Sequence, residues 1–388
     1  MANIIDYLIW RGDIPFSVDP FNEVDALVLC QFEYIKLDGI VSANLAEKIT
    51  VNEAYQHYSQ LTVEKSQQII SYEQDCELFR LMAQSRRFGG MLVSGYRNIV
   101  KNDDNIQFSA VTCFPENEQI FVAFRGTDGS LVGWKEDFML SYVNQTSSQE
   151  EAFNYINKNF CGLNANIRMG GHSKGGNLAI FAAMKSNNEV RSKIANIYAF
   201  DAPGFREEIV ESSEYKAVLP VVRSLIPEGS VIGRLLGSGI DHKLVKNIGS
   251  GLMQHLSYNW QLERNHFVYT DKPTKSGEIM NKTISGWLDN YSDDEREKLV
   301  GTIFDVLGDA DRSTVNDLKG AKNYTSIIKS IGKLDPEKQK VLTGALKKIA
   351  VSGKGAIFSK KDEKPEEKKL NWDGTWEASP LDDWGKKE

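Results

Sequence analysis

The stretch RMGGHSKGGNLA occupies residues 168–179 and contains Gly171-His172-Ser173-Lys174-Gly175, a Gly-x-Ser-x-Gly pattern. The pattern alone is common. Its neighbours give it meaning. NIRMGG (166–171) reads as a short strand and NLAIFAAMKSN (177–187) as a helix, so Ser173 falls in the sharp turn between them. Small residues at Gly175, Gly176 and Ala179 let that helix approach the sheet closely. A strand, a tight turn through serine and a glycine-rich helix start is the context a nucleophile elbow requires.

Working outward, KIANIYAFDAPG (193–204) reads as a second strand ending in a turn. Strand, helix and strand with short connections make a βαβ unit and hence a parallel sheet. Upstream, NIQFSAVTCF (105–114) and QIFVAFRGT (119–127) are apolar runs separated by PENE, which predicts a hairpin. SSQEEAFNYINKNF (147–160) is helical by period, and AVLPVVRSLIP (217–227) supplies a further apolar run after the charged, helix-like FREEIVESSEYK (205–216). Nearer the start, ALVLCQFEYI (26–35) reads as a buried strand. Thr50 and Glu53 have capping-box spacing before a helix, and DCELFRLMAQSRRFGG (75–90) reads as a helix closed by Gly89-Gly90.

The chain has 388 residues, 41% hydrophobic and 26% charged, with a formal net charge of −7. Its length predicts a main domain with an appended segment. A mildly acidic chain with no basic stripe argues against nucleic acid as a partner. Cys30, Cys76, Cys113 and Cys161 are scattered, without Cys-x-x-Cys or zinc spacing, and read as reduced thiols of a cytoplasmic protein. The opening MANIIDYLIWRGDIPF contains Asp6 and Asp13 and is not a signal peptide. No run approaches ~18 apolar residues, so no transmembrane segment is expected, which leaves peripheral contact with a membrane open. No motif calls for a metal or a cofactor.

Residues 278–351 look helical, with Ser292 and Glu295 as a capping box and Asp335-Pro336 as a cap and first-turn pair. The end of the chain is charged and poor in aliphatics, yet carries Trp372, Trp376 and Trp384. The expected organisation is an α/β domain over 1–275 with its core at about 90–265, a helical extension over 276–352, and a flexible charged tail over 353–388.

Two families share these motifs. VAFRGTDGSLVGWKEDF (122–138) followed by GGHSKGGNLA resembles the class 3 lipase pattern: a strand ending in Phe124-Arg125-Gly126-Thr127, then Trp134 and Asp137, then the elbow. FDAPGF (200–205) sits where those lipases have a Phe-Gly-x-Pro turn. The chain is more closely similar to the DUF2974 or Mbeg1-like family of the α/β-hydrolase superfamily. That likeness lies in the elbow, in NIIDYLIWRGD (3–13) and in the late GLMQH segment before a Trp, and it extends to about residue 275. The resemblance implies an α/β-hydrolase fold with a mostly parallel central sheet, and a serine hydrolase acting on a carboxylic ester.

The roles then expected are specific. Ser173 is the nucleophile, and the backbone N–H groups of Lys174 and, by the lipase pattern, Thr127 form the oxyanion hole. Arg125 braces the strand end. The order serine, acid, histidine leaves His242, His255 and His266 as candidate bases, and His255 in the glycine-rich loop GSGLMQHLSYNW (249–260) leads them. His172 reads as a packing residue. The acid is open. Ser230, in IPEGSVIG (226–233), stands where class 3 lipases carry an aspartate. Glu228 is slightly preferred, Asp201 follows, and a dyad with His255 oriented by backbone or Ser230 is the third choice. The competing readings are a weak or inactive hydrolase scaffold used for binding or regulation, and a peptidase or thioesterase sharing the same chemistry. The substrate is taken as a small-molecule or lipid ester.

Overall fold

The computed structural model describes residues 1–61, 71–116, 119–128, 130–275, 277–279, 281 and 291–308. The chain opens with α1 (Ile4–Arg11), α2 (Glu23–Phe32), β1 (Ile49–Thr50), α3 (Val51–Tyr58) and α4 (Tyr72–Gln84). Then come β2 (Leu92–Lys101), β3 (Ile106–Glu116), β4 (Gln119–Phe124), α5 (Leu131–Met139) and α6 (Ser147–Phe160). The centre is β5 (Asn166–His172), α7 (Lys174–Lys185), α8 (Asn188–Arg191), β6 (Ile194–Phe200), α9 (Glu207–Val210), α10 (Ser213–Val218) and β7 (Val222–Pro227). It closes with β8 (Lys243–Val245), β9 (Leu262–Glu263), β10 (His266–Phe267), β11 (Tyr269–Thr270) and α12 (Asp293–Gly308).

One sheet organises the described residues, in the order β1-β2-β3-β4-β5-β6-β7-β8-β11. Strands β4 to β8 are all parallel, while β1 to β4 and the β8–β11 pair are antiparallel. The β3–β4 hairpin is the one expected from the two apolar runs; residues 117 and 118 of its PENE turn lie outside the described residues. The strands alternate as period-2 geometry demands. Phe121 and Ala123 join one apolar cluster with α1 to α4, while Ile120, Val122 and Phe124 join the other with α6, α7 and α10. The result is a three-layer α/β fold, its parallel centre covered by helices on both faces.

Two expectations are overturned. Residues 26–35 do not form a strand: 23–32 are helix α2, packed on β5. Asn22 caps it through the Val24 and Asp25 N–H groups, and Asp25 returns the bond to Asn22 N–H. Residues Val24 to Phe32 are all buried, so no polar face exposes the helical period, and a short run of this kind is ambiguous by composition. Helix α4 also stops earlier than the Gly89-Gly90 pair, at Gln84, where Ser85 turns to an extended backbone. The capping boxes at Thr50–Glu53 and Ser292–Glu295 are present. All four cysteines are free thiols. Of the expected extension only α12 and a few preceding residues are described; the Asp335-Pro336 cap and the tryptophan tail lie outside the described residues.

The N-terminal helices are fastened by buried charge. Arg87 and Asp25 form an ion pair at 2.5 Å with both side chains fully enclosed, and Tyr7 donates to the same carboxylate at 2.8 Å. Among the described residues no helix is long and apolar enough to cross a membrane.

Candidate active site

Strand β5 delivers Ser173 to the end of the sheet next to β4 and β6. The backbone there is strained: Ser173 has φ 59° and ψ −133°, a region a side chain rarely adopts. Such a conformation costs on the order of 1–3 kcal/mol and persists only where its surroundings enforce it. Packing supplies the enforcement. The Ser173 N–H donates to Phe200 O at 2.8 Å, and Gly176 N–H donates to Ser173 O at 3.0 Å. Gly171 and Gly175 are in contact, and a Cβ on Gly171 would lie 2.6 Å from Gly175 Cα. Helix α7 therefore begins closer to the sheet than any side chain at these two positions allows. Ser173 is half-buried, and its hydroxyl makes no hydrogen bond among the described residues.

The loop after β4 crosses over this turn. A Cβ on Gly126 would sit 2.6 Å from His172 O and 3.1 Å from Ser173 Cβ, so only glycine passes here. That places Thr127, the next residue, beside the elbow. Its hydroxyl donates to Asp137 Oδ2 at 2.5 Å. Asp137 Oδ1 is shut from solvent without a hydrogen bond, and burial pushes this carboxyl up to about 6 against the pull of Lys174 and the Thr127 hydroxyl. Among the described residues neither the Thr127 N–H nor the Lys174 N–H has a hydrogen-bond partner. The second sits at the positive end of α7, where an anion is stabilised.

His255 occupies a 3-10 turn at 251–255. Its Nδ1 donates to Asp201 Oδ2 at 2.6 Å, with the histidine side chain 23% exposed and the aspartate 1%. Asp201 follows directly on β6 and has φ 47°, a left-handed turn of the backbone; its N–H is held by Leu225 O at 2.8 Å. Asp201 Oδ1 accepts from the Ser230 hydroxyl and from the Gly233 N–H at 3.0 Å. Both oxygens of the carboxylate are thus engaged, one with the imidazole and one with the turn after β7.

His172 ties the elbow to the histidine loop. It is buried, its ring lies 4.5 Å from that of His255, and its Nε2 meets His255 O at 2.7 Å. A carbonyl only accepts, so Nε2 carries the proton and Nδ1 accepts from Tyr34 OH at 3.3 Å. Burial, with a smaller contribution from His255, drops the His172 pKa to about 3, so this ring is neutral. The loop is also anchored from beneath. Tyr258 OH donates to Asp75 of α4 at 2.5 Å, Ser257 Oγ donates to Gln31 of α2 at 2.7 Å, and Gln31 Nε2 donates back to Asp75 at 2.7 Å.

Of the residues singled out in the sequence, the structure gathers Ser173, Lys174, Thr127, His255 and Asp201. Glu228 stands apart: its Oε1 accepts the Asn247 N–H at 3.4 Å, its backbone joins the sheet edge, and no hydrogen bond links it to His255. Ser230 occupies the position where an acid was sought and binds Asp201 instead. His242 is held between Ser224 and Ser238, and His266 is exposed on β10. Arg125 is fully enclosed, with Asn98 Oδ1 at 2.9 Å and Asp128 at 3.5 Å. Tyr34, Gln107, Glu136, Asp75 and Gly233 were not singled out. The only local signal for one of them is Lys174 itself, a lone charge in an otherwise neutral run that must find a buried partner.

A family model described as Mbeg1-like matches residues 82–305, more than half of the chain. Among solved structures, the M37 lipase is similar with a TM-score of 0.35 and 12% identity, over 55% of this chain and 69% of that one. The lipase from Rhizopus microsporus var. chinensis is similar with a TM-score of 0.30 and 10% identity, over 45% of this chain and 66% of that one. No curated protein matches the chain.

Proposed function

The chain belongs to the Mbeg1-like family, and we propose that on this scaffold it is a serine hydrolase cleaving a carboxylic ester through an acyl-enzyme on Ser173. The observation that carries the reading is the 2.6 Å pair of His255 Nδ1 and Asp201 Oδ2 next to the strained Ser173 turn. Asp201 fixes the tautomer of His255, so that Nε2 is the basic nitrogen. His255 takes the Ser173 proton as the hydroxyl attacks the ester carbonyl. The N–H groups of Lys174 and Thr127 hold the developing oxyanion. The protonated His255 then gives its proton to the leaving alcohol, and water, activated in the same way, releases the acid and restores Ser173.

Asp201 is the acid in this proposal, in preference to Glu228, because it alone of the two is bonded to His255. The reading of a hydrolase scaffold used for binding or regulation rests on an unclear acid, on the added helical region and on the tryptophan-rich tail, and the Asp201–His255 bond speaks against the first of these grounds. Thioester or peptide bonds would engage the same groups, and a small-molecule or lipid ester remains the proposed substrate class.

The experiment is labelling by a fluorophosphonate. Wild-type protein is expected to be modified at Ser173 and to hydrolyse p-nitrophenyl esters, and Ser173→Ala to do neither while remaining folded. Folded wild-type protein that resists the probe and leaves every ester intact defeats the proposal.

A further inference from the structure

We infer that the Lys174 side chain is a positioning residue for the oxyanion hole, locking together the two loops that carry its donors through a buried ion pair with Glu136. This inference rests on the serine-hydrolase reading above and goes beyond it. There, Lys174 serves through its backbone alone.

The side chain is fully enclosed, as is that of Glu136. The ammonium donates to Gln107 O at 2.9 Å, to Gln107 Oε1 at 2.8 Å and to Glu136 Oε2 at 2.9 Å, which uses all three of its N–H bonds. Glu136 is equally occupied. Its Oε1 accepts the Ser148 N–H at 2.8 Å, and its Oε2 accepts the Ser148 hydroxyl at 2.6 Å and the Gln107 N–H at 3.3 Å besides the lysine. Burial opposes charge on Glu136, but Lys174 and the Ser148 donors outweigh it and hold this carboxyl below its ordinary range.

These bonds close a circuit around the site. Lys174 starts α7 at the elbow, Gln107 lies on β3, and Gln107 Nε2 donates to Gly126 O at 3.3 Å, one residue before Thr127. Glu136 lies on α5, next to Asp137, which holds the Thr127 hydroxyl. The circuit thus reaches Thr127 from both sides, through its preceding carbonyl and through its own side chain, and returns to the residue that supplies the other donor. Stability does not explain such a pair. Burying two charges is expensive, and apolar residues of similar volume often serve as well or better. What apolar residues lack is direction, and an oxyanion hole works only when its donors are fixed before charge develops.

The test is the variant Lys174→Met/Glu136→Gln, which removes both members of the ion pair together. Gln107→Met, which cuts the tie to Gly126 and removes one of the three acceptors of the ammonium while leaving both charges in place, serves as a second variant. The readouts are the melting temperature, kcat and KM for a p-nitrophenyl ester, and the Ki of an arylboronic acid that mimics the tetrahedral intermediate. For the folded double variant kcat is expected to fall roughly 10–100-fold, with KM within about twofold and the boronate Ki rising in step with the loss of kcat. A smaller change of the same sense is expected for Gln107→Met. Wild-type kcat and boronate affinity in either folded variant overturn the inference while leaving the hydrolase reading intact. Wild-type protein that neither labels nor hydrolyses overturns both.

Discussion

Ser230 and Asp201 are joined by a hydrogen bond from the Ser230 hydroxyl to Asp201 Oδ1, and the opposite oxygen of that carboxylate serves His255. The turn after β7, where the lipase pattern implies an acid, thus holds a hydroxyl that steadies an acid carried by the preceding strand. Asp201→Asn is expected to lower kcat on the order of 10³–10⁴-fold, because an amide can no longer enforce the correct tautomer. Ser230→Ala removes one bond to a charged group, worth about 1.5–3 kcal/mol, and is expected to lower kcat by about a hundredfold at most. Steady-state kinetics on a p-nitrophenyl ester ranks the two. A Ser230→Ala loss equal to that of Asp201→Asn would contradict the assignment.

Glu228 provides the opposite control. Its carboxylate faces the Asn247 N–H rather than His255. Glu228→Gln is therefore expected to leave kcat/KM within about twofold of wild type, since exposed or backbone-facing contacts of this kind contribute little. A loss of a hundredfold would return Glu228 to the role of acid.

Gly233 sets how closely the β7 turn approaches Asp201. A Cβ there would lie 2.5 Å from Asp201 Oδ1 and equally close to Ile226 Cγ2. Gly233→Ala is expected to push the carboxylate out of line, lowering kcat at least tenfold and destabilising the fold by about 1–3 kcal/mol, the usual cost of overpacking. Urea denaturation and kinetics on the same preparation check both halves.

His172 should make the protein acid-sensitive in a defined window. Its folded pKa is lowered to about 3 by burial and by the neighbouring His255, with Asp201 pulling the other way. The unfolded chain, with a pKa of about 6.5, takes up the proton first as pH falls. The His172 contribution is therefore intact above about 6.5 and drains away toward 3, at about 1.4 kcal/mol per pH unit once well below 6.5. Between pH 7 and pH 5, His172→Gln is expected to lose less stability than wild type by about 2 kcal/mol. Glu33, Asp75 and Asp137, whose carboxyls are raised, titrate in both proteins and cancel in the difference. Equal losses in urea titrations at the two pH values would refute this.

Much of this site was legible because its signals are local. Strand, glycine, serine, glycine and helix follow one another within 166–187, so the elbow at Ser173 needed no long-range knowledge. The Arg125-Gly126-Thr127 loop and the His255 loop were legible as motifs. The partner of His255 stays open in the sequence, where Asp201 stands second to Glu228, because Asp201 is 54 residues away and reaches His255 by a left-handed backbone turn that no side-chain pattern announces. The Lys174–Glu136 pair was invisible for the same reason, its members being 38 residues apart. Helix α2 reads as a strand in the sequence because burial on every side removes the polar face that distinguishes the two periods.

The bonds from Asp75 to Tyr258 and from Gln31 to Ser257 span 183 and 226 residues. They mean that the histidine loop is seated on the first helices of the chain, parts of which lie before the region matched by the family model. Contacts so distant in sequence close late, after local strands and helices have formed. A chain that has built its sheet but not yet docked α2 and α4 would therefore carry an exposed serine with no organised base. Reactivity would arrive as the final event of assembly, so that loss of activity on mild denaturation should precede loss of helix and sheet.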